Sequence, residues 1–269
     1  MYDISIDVNL TFSILPLCEF GNNSSYYFEH CYENIGNPLR TNSFVYTPNN
    51  TAVATTHTTT EGLTSEEISN SISEMAIYFL NATLLANPTS KYNCHSYAWY
   101  LQNSDYNFDW MSNPGNYVSD YSYYRVYAGI QIGDIICYIN SNGRKDHSGR
   151  ITGIYSGTSN GICGDANLYQ VTSKWGAAGL YSHRGDECPY TYPYASGIHL
   201  CSTVQFFRLN SSHTHYWQYI SHNNYYHFCY CSCSCNLYEA HTWVSNSKSQ
   251  EGVPGYICSK CGKTAIYPY

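Results

Sequence analysis

The sequence predicts an α+β protein built on an antiparallel sheet and followed by a small zinc-binding module. Three observations predict this: several short runs with strand periodicity, one well-capped amphipathic helix, and a C-terminal stretch dense in cysteine.

Residues 4–12 place Ile4, Ile6, Val8, Leu10 and Phe12 on one side and Ser5, Asp7, Asn9 and Thr11 on the other, the pattern of a half-buried strand. Asn, Gly, Ser and Pro dominate through 21–50, which reads as loops and short strands, and the Thr-rich run 51–62 reads as a polar connector. Next, Thr64 and Glu67 form a capping-box pattern ahead of Ile68, Ile72, Met75, Ala76 and Phe79 at helical spacing. In KYNCHSYAWYLQ, Asn93 can cap a second helix whose first turn holds Cys94. Gly133-Asp134 opens the strand IICYIN, and Asn142-Gly143 makes a turn. HSGRITGIY begins a second strand at His147, LYQVTSKWG is a third, and TVQFFRL at 203–209 is a fourth. From about His213 the composition shifts to His, Tyr and Cys. The expected division is a β-rich extension at 1–58, a main domain at 59–212 and a cysteine-rich module at 213–269.

Charged residues make up only 12% of the chain while tyrosine alone occurs 31 times, so hydroxyls and amides carry the solubility. The net charge of -7 with scattered Lys and Arg excludes broad nucleic-acid binding, which needs basic patches to displace counterions. No apolar stretch reaches the ~20 residues of a membrane span. The N-terminus is acidic and alternating, unlike a signal peptide. Thirteen cysteines nevertheless favour an exported protein, because Cys18, Cys31, Cys137, Cys163, Cys188 and Cys201 are dispersed and compatible with disulfides.

Cys94 carries the candidate chemistry. A thiolate in the first turn of a helix is stabilised by exposed N–H groups and the positive end of the dipole, and a nearby imidazole can take its proton. A helix-borne Cys followed by the strand-borne His147 is the order that a papain-like core needs. A buried, inert Cys94 is the bland alternative.

YNCHSYAW at 92–99, GDIICYI at 133–139 and DHSGRI at 146–151 resemble the signature blocks of the bacterial cell-wall cysteine peptidase and amidase superfamily, with its NlpC-type and CHAP-type domains. The resemblance covers about residues 60–210. It is nearest to a branch that also carries Ser173-Lys174-Trp175-Gly176 and a later segment from His183 to Pro189-Tyr190. It implies a papain-like fold, Cys94 as nucleophile, His147 as base, Tyr92 beside the oxyanion, and a third polar group on or after the next strand. His183 is the preferred third group, with Gln170 and Ser173 as alternatives. His95 departs from the family pattern, which has Ser or a small residue after the nucleophile. Trp99, Trp110, Trp175 and the tyrosines of YVSDYSYYRVY read as packing residues or as walls of a glycan or peptide groove.

In the tail, Cys258-x-x-Cys261-Gly has the spacing of a zinc knuckle, whose tight turn lets two thiolates meet one ion. Cys229, Cys231, Cys233 and Cys235 alternate upstream, so an extended chain puts all four on one side. The segment resembles small bacterial zinc modules, and that resemblance selects Cys231 and Cys233 to join Cys258 and Cys261 around a structural Zn²⁺, with His241 as an alternative ligand. A disulfide-knit tail is the competing arrangement.

The expected function is hydrolysis of an amide or peptide bond through an acyl-thioester. The substrate class that the resemblance implies is cell-wall peptide outside the cell. The rival from another class is a secreted binding or surface protein that keeps the fold without turnover.

Overall fold

A computed structural model describes residues 38–191, 201–210, 218–222, 226–230, 236–245, 255–260 and 263–265, so the strand expected at 4–12 lies outside the described residues. Within them the chain is mixed, with antiparallel sheets and few helices.

β1 (Leu39–Tyr46) and β2 (Ala52–Thr60) form a hairpin. The Thr-rich run expected to be a connector is therefore a strand. β-branched Thr and Val suit a pleated surface whether or not they are apolar, and Val53, Thr55 and Thr58 are the positions that β2 buries. Because β2 crosses residue 58, and Val45 and Val53 pack in one cluster with Trp99 and Leu101, the hairpin belongs to the main core and not to a separate extension.

Helix α1 (Ser65–Tyr78) starts as the sequence predicts. Thr64 accepts from the Glu67 backbone N–H, and the Glu67 carboxylate accepts from the Thr64 N–H at 2.8 Å, completing the capping box. Its buried face presents Met75 to the core, followed by Phe79 just past the helix.

The main sheet has seven strands. They are β3 (Thr83–Ala86), β5 (Tyr123–Val126), β6 (Ile135–Ile139), β7 (Lys145–Ile154), β8 (Tyr169–Lys174), β9 (Leu180–Arg184) and β10 (Thr203–Leu209), in the order β3-β9-β8-β7-β6-β10-β5. The short β4 (Asp109–Trp110) instead extends the β1–β2 hairpin. Strands β6, β7, β8 and β10 fall where the sequence places them, whereas β5 and β9 lie in segments to which it assigned no strand.

Side chains alternate across this sheet and build two cores. One holds Ile136, Tyr138, Ile151, Val171 and Tyr181 under Met75, Phe79, Trp175 and Tyr190. The other holds Ile135, Cys137, Ile139 and Phe207 under Ala98, Trp99, Leu101 and Tyr117. Close strand approach explains the glycine of the DHSGRI block: a Cβ at Gly149 would sit 2.5 Å from Val171 Cγ1. The Gly-Asp pair is equally structural. Gly133 has φ +95°, and Asp134 receives both Nε and NH2 of Arg208, tying the start of β6 to β10.

The tail forms two small sheets, β11 (Gln218–His222), β12 (Tyr226–Tyr230) and β13 (Asn236–Ala240), then β14 (Trp243–Ser245), β15 (Tyr256–Cys258) and β16 (Thr264–Ala265).

Candidate active site

Asn93 caps the segment that carries Cys94, as expected. Its side-chain oxygen accepts from the Ser96 N–H at 3.0 Å and its carbonyl from the Tyr97 N–H at 2.9 Å. Cys94 thus occupies the first helical turn and is buried, at 4% exposure. The segment then widens into a π-helix, Ser96–Tyr100, where the Leu101 N–H reaches Ser96 O.

His147 does not face this helix. On β7, Ser148 is the residue turned toward it: the Ser148 hydroxyl accepts from the Trp99 indole N–H at 3.0 Å and contacts His95 Nδ1 at 2.8 Å. Its neighbour His147 therefore lies on the opposite side of the sheet. There its ring stacks on Tyr190, with centroids 3.9 Å apart and planes 9° apart, and packs at 5.2 Å from the ring of Tyr138. It is fully buried, and neither ring nitrogen has a hydrogen-bond partner among the described residues. Burial, with His183 and His95 nearby, holds its pKa well below the ordinary histidine value. The described contacts do not bring the expected Cys94–His147 dyad together: Ser148, not His147, is the β7 side chain turned toward the helix that carries Cys94.

The candidates for the third role are committed elsewhere. Ser173 Oγ accepts from the Trp175 indole at 3.0 Å and donates to His183 Nε2 at 2.8 Å, while His183 Nδ1 donates to the Arg184 carbonyl at 2.7 Å. These partners assign the tautomer and use both nitrogens of His183. Gln170 donates to the Ser182 hydroxyl at 2.8 Å. His183 and Ser173 share the buried side with His147 but support each other instead of it. Tyr92 is fully buried, and its hydroxyl donates to Ser104 at 2.7 Å.

His95 repeats the same arrangement on the helix side. The Ser148 hydroxyl, having accepted from Trp99, donates to His95 Nδ1, and the other side of the ring is held by the Lys145 backbone. Burial lowers His95 and His183 alike to about 4, so both rings are neutral at pH 7.

A residue that the sequence named only within the Ser173–Gly176 block is the buried cation near Tyr92. Lys174, the last residue of β8, is fully buried; its Nζ donates to the Thr89 carbonyl at 2.9 Å and to the Gly176 carbonyl, and lies 5.3 Å from the centre of the Tyr92 ring. Burial lowers it to about 7, with Cys94 and then Glu61 as its charge neighbours. A Lys in a strand otherwise poor in charge was the available signal, since a fully buried lysine is rare without a partner.

Trp99 and Trp175 are fully buried core residues, and Trp110 lies under the Arg40 guanidinium at 4.2 Å. Of the tyrosines in YVSDYSYYRVY, Tyr117 and Tyr123 are buried, while Tyr121, Tyr124 and Tyr127 are exposed. Cys163 and Cys201 form a disulfide. Cys137 and Cys188 are buried thiols, pushed by burial up to about 12 and about 11. Cys18 and Cys31 lie outside the described residues.

In the tail, Cys231, Cys233 and Cys261 also lie outside the described residues. Cys258 is buried at the end of β15, where its N–H donates to the Lys263 carbonyl at 2.7 Å; Cys229 is buried in β12; and the His241 ring lies 4.8 Å from that of Trp243. Among the described residues no group of three or more His, Cys, Asp or Glu is placed to hold a metal.

No helix among the described residues is long and apolar enough to cross a membrane. No family model, curated protein or solved structure matches the chain.

Proposed function

We propose that the chain is a cysteine-dependent amide or peptide hydrolase with Cys94 as its nucleophile, on a papain-like core. The observation that carries this is the position of Cys94 in the first turn of a helix capped by Asn93. That position favours a thiolate. His147 has no part in this reading. Cell-wall peptide is the substrate class that the resemblance of the three sequence blocks supports. The Cys163–Cys201 disulfide supports an exported protein. The tail is a structural zinc module, supported by the buried Cys258 at the corner of a hairpin and by the CxxC spacing.

A second reading, a secreted binding or surface protein without turnover, is favoured by the orientation of His147. Limiting iodoacetamide at neutral pH separates the two. Cys94 labels ahead of Cys137, Cys188 and the tail cysteines if it is the nucleophile, and Cys94→Ala abolishes release of acyl groups from cell-wall peptides. Even labelling across the cysteines, with no turnover, leaves the binding protein.

A further inference from the structure

Resting on Cys94 as nucleophile, we propose that residues 101–108 form a strap along the Cys94 helix, and that the tail latches this strap through Phe228 on Tyr106. Release of the latch opens access to the thiol.

Three hydrogen bonds lay the strap along the residues that flank Cys94. The Tyr92 hydroxyl donates to Ser104 at 2.7 Å, the Ser96 hydroxyl donates to Asn107 Oδ1 at 2.9 Å, and Gln102 Nε2 donates to the Tyr97 carbonyl at 2.6 Å. Their helix-side partners stand just before Cys94 and just after it in the chain. The strap also holds its own shape. Asn107 Nδ2 donates to the Leu101 carbonyl at 2.7 Å, and Asn103 accepts from the backbone N–H groups of Asp105, Tyr106 and Asn107. Beside it Tyr92 is fully buried and Cys94 is nearly so.

Tyr106 is the outward part of the strap, at 38% exposure. The Phe228 ring of β12 lies on it, with centroids 6.3 Å apart and planes tilted by 38°, a spacing at which aromatic rings attract. Tyr226 and Phe228 are alternate residues of β12 and share one side of its sheet. Tyr226 is 49% exposed whereas Phe228 is buried, so the covered part of that side is the part that meets the strap. A surface turn belongs to the low-stability end of a fold, where local opening precedes global unfolding. Loss of one ring pair shifts such an opening by about two- to tenfold. The polar bonds to Tyr92, Ser96 and Tyr97 remain, so the strap loosens while the core stays folded.

The test is hydrogen exchange of residues 101–108 together with the rate of Cys94 alkylation by iodoacetamide, both read by mass spectrometry on the full chain. Tyr106→Ala and Phe228→Ala are each expected to raise both rates by about two- to tenfold. The buried Cys137 and Cys188 should label as in the wild type. Both substitutions break one contact, so the double variant should label no faster than the quicker single variant. Folded single variants with wild-type exchange and labelling overturn the latch, and so does a double variant in which the two effects multiply. Faster exchange with unchanged Cys94 labelling overturns the gate. Where Phe228→Ala unfolds the tail, Tyr106→Ala decides, because that substitution lies outside β12 and leaves its packing residues in place. Faster labelling with no turnover of p-nitrophenyl acetate in any chain would instead remove the hydrolase reading and leave the latch intact.

Discussion

The His147 ring lies flat against the Tyr190 ring inside the core, on the side of the sheet away from Cys94, with both nitrogens unpartnered among the described residues. Leaving a buried polar atom unsatisfied costs ~1–3 kcal/mol, whereas the stacking it gains contributes ~0.5–1.5 kcal/mol. His147→Leu, close in volume and without polar atoms, is therefore expected to stabilise the chain by about 1 kcal/mol in urea unfolding. Cys94 alkylation should keep its wild-type rate. A collapse of that rate in a folded His147→Leu chain would restore the imidazole as base.

Two relays of the same make lie on opposite faces of the sheet. Trp99 donates to Ser148 and Ser148 to His95; Trp175 donates to Ser173 and Ser173 to His183. Each serine is fully buried and satisfies an indole N–H and an imidazole nitrogen at once. Ser148→Ala or Ser173→Ala orphans both groups, so each should cost ~2–5 kcal/mol, read from thermal unfolding followed by tryptophan fluorescence. A loss below about 0.5 kcal/mol would mean that the hydroxyl is not shared in this way.

The same histidines make the fold acid-sensitive. His95 and His183 are held at about 4, below the unfolded value of about 6.5, so the unfolded chain binds more protons between these limits. Their contribution is fully present above about pH 6.5 and is lost as pH falls toward 4. From pH 7 to pH 5 each should cost about 2 kcal/mol, and His147 acts in the same direction. Asp109, raised by burial, acts in the opposite direction. Urea unfolding at pH 7 and pH 5 reads the difference, and equal stabilities would contradict the neutral, buried state of these rings.

What the sequence made legible follows from what is local. The capping box of α1, the Asn93 cap and the apolar runs of β6, β8 and β10 need only neighbouring residues, and they form as expected. The side to which His147 turns is not local. Residues on one strand alternate, so a slip of one position reverses every side chain. The register between β6 and β7 shifts between Tyr138 and Ile139, next to the pairing of Tyr138 with His147. The motif fixes which residue is histidine but not which face receives it. Lys174 was hidden for the same reason. Only the pairing of β8 with β9, Lys174 opposite Leu180, sets it beside Tyr92 and the Cys94 helix.

The tail offers the last test, and it rests on chemistry independent of Cys94. Sheets of three short strands, such as β11–β13 and β14–β16, are small for an unaided core, so a bound ion would supply much of their stability. Cys258 is buried at the end of β15, and its N–H donates to the Lys263 carbonyl ahead of β16. About one Zn²⁺ per chain is expected by elemental analysis. Cys258→Ser, Cys261→Ser, Cys231→Ser and Cys233→Ser should each lower that content, whereas Cys229→Ser should leave it at one, because Cys229 packs within β12 and is not among the selected ligands. Chelation should unfold 213–269 while the seven-stranded sheet keeps its melting transition. A metal-free chain with Cys258 and Cys261 in disulfides, and an intact tail, would replace the ion with covalent links.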